Sequence, residues 1–389
     1  MKSLEGIRIL YLNANNPEVG GSDLCLFKMA KEAQFAGMDP IVILRKETEM
    51  IELYQNERID VSIKSMVRLR ATSDWFSKLK YIFEFPATVY ILYKFIKSHH
   101  IDLIHTNDFI DVAGNVAAFL TGKPSVHHIR IIVEHPNLIS KLFKILSLIV
   151  STKIICVSKA VCEVMYPKPN NKIAIIYDWI DIEAARGEPS NASILDELGL
   201  DNDIRLIACI GRLDPIKGQR LFLEAAEIIA SKYTDLHFLI IGGITTGKEY
   251  FFNQLNELKH SLTCKERITI MGYRRDVFNI LRQISVVVQA SIIPEAFGLV
   301  VMEAMYSGVI VVAPNAGGIK EQVINNETGF LYQPGDPSDM ANKIIYALEC
   351  QEKEEIKRRA QELVRKKFNR KESISRLFEI YRNLLGYGI

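Results

Sequence analysis

The chain has 389 residues, 48% hydrophobic and 24% charged, with 48 Lys and Arg against 46 Asp and Glu. This is the balance of a soluble globular protein and excludes a disordered chain. A formal net charge of +2 argues against bulk electrostatic attraction to nucleic acid, and the length fits two domains better than one core.

Short β-branched runs alternate with helical stretches throughout, the pattern of parallel sheets with crossover helices. In the first half the strands are predicted at residues 7–13, 40–45, 61–64, 102–106, 125–130, 153–157 and 173–177. Because residues 7–13 already read as a strand, the N-terminus is not expected to be a signal peptide. Next come Asn16-Pro17-Glu18-Val19-Gly20-Gly21-Ser22, a loop that opens a helix. No G-x-G-x-x-G follows that strand, so it is not a dinucleotide fingerprint.

Residues 63–100 interleave Lys64, Arg68, Arg70, Lys78, Lys80, Lys94 and Lys97 with Trp75, Phe76, Tyr81, Phe83, Phe85, Tyr90, Tyr93 and Phe95. A basic aromatic surface suits an anionic membrane interface, with residues 67–82 favoured over 90–95. The alternative is a helix whose aromatics pack on its own domain. The apolar stretch at residues 138–150 carries Lys141 and Lys144, is too short to span a bilayer, and can add to the same face.

The strand at 102–106 presents His105, followed by Asn107. The strand at 125–130 carries His127, His128 and Arg130, and alternation puts His128 and Arg130 on one face with His127 on the other. Polar, turn-rich residues 183–192 read as an interdomain linker. The expected division is 1–184, 192–370 and a terminal segment 371–389.

In the second half the strands are predicted at 205–210, 237–241, 269–271, 286–289, 309–313 and 329–332. Ligands of such sheets bind beyond the carboxyl ends of strands, beside helix N-termini. Two strings lie there. Ile210-Gly211-Arg212-Leu213-Asp214-Pro215-Ile216-Lys217-Gly218-Gln219 places two cations at a strand–helix junction, which suits a diphosphate. Pro294-Glu295-Ala296-Phe297-Gly298-Leu299-Val300-Val301-Met302-Glu303 places Glu295 before a helix starting near Gly298, and Glu303 about one and a half turns inside it. These carboxylates are assigned to sugar and ribose hydroxyls, since their spacing does not support a paired-carboxylate glycosidase.

The six cysteines are scattered without C-x-x-C pairs or metal-spaced histidines, and read as buried thiols of a cytoplasmic protein. Asp201-Asn202-Asp203, and the pair Asp178 and Asp181, are read as loop residues, so no metal or other cofactor is expected.

Gly211-Arg212-Leu213-Asp214-Pro215-x-Lys217-Gly218, Glu295-x7-Glu303, Gly317-Gly318-x-x-Glu321 and Gly329-Phe330-Leu331-Tyr332-Gln333-Pro334-Gly335-Asp336 together resemble the retaining glycosyltransferases of family 4. The resemblance is continuous over about residues 205–340 and looser before. It implies a GT-B fold, two α/β Rossmann-like domains facing each other across a cleft, with the terminal segment crossing back onto the first. It further implies a metal-independent transferase that takes a sugar, with retention, from a UDP- or GDP-sugar. The basic aromatic surface of residues 63–100 in turn points to a lipid-linked or cell-surface glycan acceptor such as lipopolysaccharide, at the inner face of the membrane.

By the same resemblance Arg212 and Lys217 neutralise the leaving diphosphate. Glu295 and the backbone N–H groups of Phe297, Gly298 and Leu299 hold the sugar, Glu303 holds the ribose, and Val300 belongs to the donor site. The base lies near Gly242, Gly272 and Tyr273, with Arg274 or Arg275 close by, and Gly20 and Gly21 approach the donor phosphate. His105 and Asn107 correspond to acceptor-side positions. The family's histidine near the reacting carbon falls here on Arg130, with His128 the second candidate; Arg cannot serve as a base at neutral pH. That departure leaves a non-catalytic nucleotide-sugar-binding subunit as the rival reading.

Overall fold

The computed structural model describes residues 3–14, 19–67, 75–134, 136, 138–180 and 193–387, with only the backbone at 75–79. Asn16-Pro17-Glu18, Arg68, Arg70 and the expected linker 183–192 lie outside the described residues, as do the side chains of Trp75, Phe76 and Lys78.

Two compact units result. One comprises residues 1–178 together with 370–389, the other residues 179–369. The first is built on β1 (Arg8–Asn13), β2 (Asp39–Leu44), β3 (Asp60–Ile63), β4 (Leu103–Asn107), β5 (Ser125–Ile129), β6 (Lys153–Cys156) and β7 (Ile173–Ile175). They form one seven-stranded sheet in the order β3-β2-β1-β4-β5-β6-β7, and every adjacent pair is parallel. The second unit holds β8 (Arg205–Ile210), β9 (Leu236–Ile241), β10 (Ile268–Gly272), β11 (Ile284–Val288), β12 (Ile310–Pro314) and β13 (Phe330–Tyr332). These make a six-stranded parallel sheet in the order β10-β9-β8-β11-β12-β13.

Parallel sheets are covered by helices on both faces, so their strands are apolar along their length. Accordingly β8 reads Arg-Leu-Ile-Ala-Cys-Ile and β9 Leu-His-Phe-Leu-Ile-Ile. In the second unit Phe222 and Ile344, from helices Gln219–Ala230 and Pro337–Glu349, pack with Phe238, Val286 and Val312 of the sheet. In the first, Leu92 and Ile96 of helix Trp75–Ser98 and Ala113 and Ala117 of helix Val112–Thr121 pack with Leu10, Leu12, Ile41 and Ile104.

In each sheet the order reverses once, between β1 and β4 and between β8 and β11. Loops from these two strands leave in opposite directions and open a crevice at their carboxyl ends. The last helix, Arg370–Leu384, belongs to the first unit: its Tyr381 is buried there, with its hydroxyl 3.3 Å from that of Tyr11.

Candidate functional site

At the carboxyl end of β4 and β5 a buried polar wall gathers residues from five parts of the chain. Pairing of Asn107 with His128 puts His105 and Asn107 on the same sheet face as His128 and Arg130. His127 points the other way, with Nδ1 2.7 Å from Ser147 Oγ and Nε2 2.9 Å from the Asp108 carbonyl.

The Arg130 guanidinium is committed within this wall. Its Nε donates to Asn107 Oδ1 at 2.7 Å, one terminal nitrogen pairs with Asp178, and the other lies 3.8 Å from Met29 Sδ and 3.5 Å from His128 Nδ1. Asn107 in turn donates to the Ser22 carbonyl at 3.2 Å. His105 has both ring nitrogens occupied, Nδ1 at 2.6 Å from the Tyr381 hydroxyl and Nε2 at 3.1 Å from His128 Nδ1.

Hydrogen-bonding roles then follow in order. Arg130 can only donate, so His128 Nδ1 accepts; His105 Nε2 donates to it, and His105 Nδ1 accepts from Tyr381. The His128 proton sits on Nε2, which has no partner among the described residues. Burial, reinforced by the Arg130 charge, lowers the pKa of both His105 and His128 well below that of a free imidazole, so both are neutral. Arg130 is neutralised by Asp178 and positions its neighbours, while His128 keeps an unspent donor. His105, Asn107 and His128 are all buried, and His105 and Asn107 spend their polar atoms within this wall.

On the same unit, helix Gly21–Phe35 starts at Gly20, whose N–H donates to Asp23 Oδ2 at 2.7 Å, while Asn13 Nδ2 donates to Asp23 Oδ1 at 2.6 Å. The carboxylate thus ties the start of this helix to the end of β1.

In the second unit, Asp214 caps the short turn Pro215–Lys217, and Lys248 Nζ reaches Asp214 Oδ2 at 2.5 Å. Gly218 follows at φ 71°, and a Cβ there would lie 1.9 Å from the Ala290 carbonyl oxygen, so only glycine lets this loop close on β11. Arg212 is half-buried, and its guanidinium has no side-chain partner among the described residues. Lys217 Nζ lies 2.5 Å from Glu295 Oε1, which Ser291 Oγ and Gln289 Nε2 also approach, at 2.6 and 3.1 Å.

The Glu295 backbone is held as tightly. Its carbonyl accepts from Gly318 N at 2.8 Å, and a Cβ on Gly317 would lie 2.4 Å from that same oxygen. Helix Leu299–Tyr306 begins just beyond, capped by Gly298 and steadied by Phe297, whose ring packs edge-on against Phe368 at 5.6 Å. The first-turn N–H groups of that helix, including Leu299 and Val300, have no intrahelical acceptor, and its dipole adds positive potential. Glu303 lies inside the helix and is half-buried.

Gly242 N donates to the Gly272 carbonyl at 2.8 Å and Tyr273 stands exposed beside it, which brings both expected base-side positions together. Arg274 instead bridges Asp276 and Glu197, at 2.8 and 2.5 Å. Among the described residues no His, Cys, Asp or Glu cluster has the form of a metal site.

Sequence reasoning read Asp178 as a loop residue and did not single out Tyr381, Gln289 or Ser291. Gln289 and Ser291 stand directly after β11, where polar residues carry chemistry in such sheets, and that signal was legible. Asp178 and Tyr381 reach the wall from distant parts of the chain, and no local pattern marks them.

The glycosyl transferases group 1 model matches residues 191–363 and the glycosyltransferase family 4 model residues 19–184. An Escherichia coli relative, UDP-Gal:alpha-D-GlcNAc-diphosphoundecaprenol alpha-1,3-galactosyltransferase, is 28% identical over 65% of this chain and 68% of its own. Trehalose synthase of Pyrococcus horikoshii is 30% identical over 50% of this chain; the match spans 47% of that protein, about half its length. The solved structure of Anabaena HepE in complex with UDP-glucose superposes with a TM-score of 0.83 at 25% identity, covering 97% of this chain and 100% of that one. The two sheets have the GT-B fold, and the chain belongs to glycosyltransferase family 4, whose members are retaining nucleotide-sugar glycosyltransferases.

Proposed function

We propose that this chain transfers a hexosyl group from a UDP-sugar to a lipid-linked or cell-surface glycan acceptor, with the second unit holding the donor. The observation that carries the donor half is the Lys217–Glu295 pair at 2.5 Å, set between a half-buried Arg212 and a helix N-terminus. An ammonium has three protons and Glu295 takes one, so Lys217 retains donors for phosphate oxygens. Arg212, Lys217 and the first-turn N–H groups at Phe297–Val300 meet the charge that develops on the leaving diphosphate. Glu295 accepts from sugar hydroxyls, Glu303 from the ribose, and Gly242, Gly272 and Tyr273 border the base. In the first unit Arg130 and His128 are the two residues proposed for the position of the family's histidine. Loss of a nucleoside diphosphate is carried by these charges and dipoles, and no metal is invoked. UDP is preferred over GDP because UDP-galactose stands in the E. coli relative's name and UDP-glucose in the HepE complex.

The acceptor half rests on the first unit's surface. On helix Leu138–Val150, Leu138, Leu142, Ile145 and Ile149 fall on one face and are all exposed (72% for Leu138, 61% for Ile149), flanked by Lys141 and Lys144. Tyr81, packed 5.5 Å from Phe143, joins this helix to Trp75–Ser98, where Ile82, Phe83 and Tyr90 are exposed while Tyr81 and Phe95 are buried. Exposed apolar rows among lysines favour an anionic bilayer. No helix among the described residues is long and apolar enough to cross a membrane.

Thermal stabilisation by UDP-glucose, UDP-galactose and GDP-mannose tests the donor, since a ligand bound to the native state raises apparent stability. Slow hydrolysis of the stabilising sugar nucleotide should vanish in Lys217→Ala; stabilisation without any hydrolysis would leave a binding subunit instead. Flotation with vesicles rich in phosphatidylglycerol tests the acceptor surface, and equal recovery at the bottom with and without anionic lipid would reject it.

A further inference from the structure

The Glu295 carboxylate carries three donors on one oxygen. Lys217 Nζ, Ser291 Oγ and Gln289 Nε2 approach Oε1 at 2.5, 2.6 and 3.1 Å, and Oε2 has no partner among the described residues. A carboxylate offers about four lone-pair sites over its two oxygens, so Oε2 keeps its full capacity. The terminal torsion of a glutamate is broad and selects no orientation by itself. Whatever holds Oε1 therefore decides where Oε2 points.

Gln289 and Ser291 are built to do this. Both are buried just beyond β11, the strand beside the switch point of the second sheet. Gln289 N donates to the Val312 carbonyl at 2.9 Å and its own carbonyl accepts from the Tyr332 hydroxyl at 3.1 Å, so the backbone is tied into the sheet on one side and the core on the other. The protons close without remainder. The two on the Gln289 amide go to Ser291 Oγ, at 2.9 Å, and to Glu295 Oε1; the Ser291 hydroxyl proton also goes to Glu295. Because Oε1 can only accept, the amide nitrogen must face it, and the side chain has one orientation.

We propose that Gln289 and Ser291 are positioning residues that fix Glu295 Oε2 toward the transferred sugar and thereby set which hydroxyl configuration the site accepts. The inference rests on the donor-sugar role given to Glu295 above. A carboxylate held from one side discriminates between epimers because the wrong hydroxyl leaves it unpaired in a half-buried site. Relaxed, it would turn to meet either epimer.

The test measures hydrolysis and calorimetric binding of two epimer pairs, UDP-glucose with UDP-galactose and GDP-glucose with GDP-mannose, in wild type, Gln289→Met, Ser291→Ala and Ser291→Thr. For the pair that the wild type binds, Gln289→Met and Ser291→Ala should each lose about tenfold in kcat/KM with the preferred epimer, the scale of one hydrogen bond to a charged group. The preference should shrink toward unity while UDP or GDP affinity stays within about twofold. Ser291→Thr, which keeps the hydroxyl, should restore most of the preference. Adding Gln289→Met to Glu295→Gln should cost nothing further, because the two act as one unit. Retained preference in both variants, against its loss in Glu295→Gln, overturns the positioning role and leaves Glu295 its place. Intact rate and preference in Glu295→Gln, or failure of the wild type to bind any of the four, removes the donor role itself. Equal loss of nucleotide affinity and rate would mark the pair as merely structural.

Discussion

Replacing Lys217 by alanine isolates charge at the donor phosphate from folding. The side chain is about a quarter exposed and its pair with Glu295 partly solvated (24% and 18% exposed), so its loss costs on the order of 1 kcal/mol or less of stability. For a unit of this size that lowers the melting temperature by about 2–4 °C. Glu295 keeps Ser291 and Gln289 at 2.6 and 3.1 Å, so the carboxylate stays in place. On the proposed assignment, the chemical step loses a charge-assisted donor aimed at the leaving diphosphate. Removing one such preorganised donor costs about 10²–10³ in kcat, roughly 2.7–4 kcal/mol. Lys217→Arg, which keeps the charge but not its shape, should fall between the two. Release of UDP from UDP-glucose, followed with a coupled assay beside a melting curve, separates the contributions. A loss in kcat below about fivefold with folding intact would refute the assignment of Lys217 to the phosphate.

Three other outcomes are expected. Gly317→Ala combines φ 57° with a Cβ 2.4 Å from the Glu295 carbonyl, so it should lower turnover more than nucleotide affinity by displacing the Glu295 backbone; equal effects on both would contradict this. Acidification should destabilise the first unit. Burial lowers the pKa of His127 to about 4, and those of His105 and His128 well below the ordinary value. Between about pH 6.5 and pH 4 the unfolded chain thus binds protons that the native one refuses, and stability falls as pH falls, by about 1.4 kcal/mol per pH unit for each histidine fully in this regime. Denaturant midpoints measured from pH 7.5 to 5 check the slope, which His127→Asn should reduce. Finally, Leu142→Glu with Ile145→Glu should abolish vesicle flotation while leaving the melting temperature within about 2 °C, since both side chains are exposed; flotation equal to wild type would place the membrane face elsewhere.

The parallel sheets were legible in the chain because each strand is an apolar run bounded by turn residues, and burial on both faces requires that composition. All thirteen predicted strands appear, with ends shifted by one or two residues where hydrogen bonding rather than hydrophobicity decides the boundary. The Lys217 and Glu295 strings were equally legible, since each sits in one continuous loop between a strand and a helix. Their mutual contact was not, because 78 positions separate them and only the adjacency of β8 and β11 brings them together.

The same division runs through the first unit. Alternation alone places His128 and Arg130 on one face. Which of them keeps a free donor depends on Asp178, which lies 48 positions from Arg130, and on Tyr381, which is 276 from His105. Sequence spacing encodes direction along a strand; it does not encode which distant carboxylate or hydroxyl will neutralise a charge. Residue type and local order thus determined the chemistry available to this protein, and only tertiary packing decided which groups spend that chemistry on each other and which keep it for a ligand.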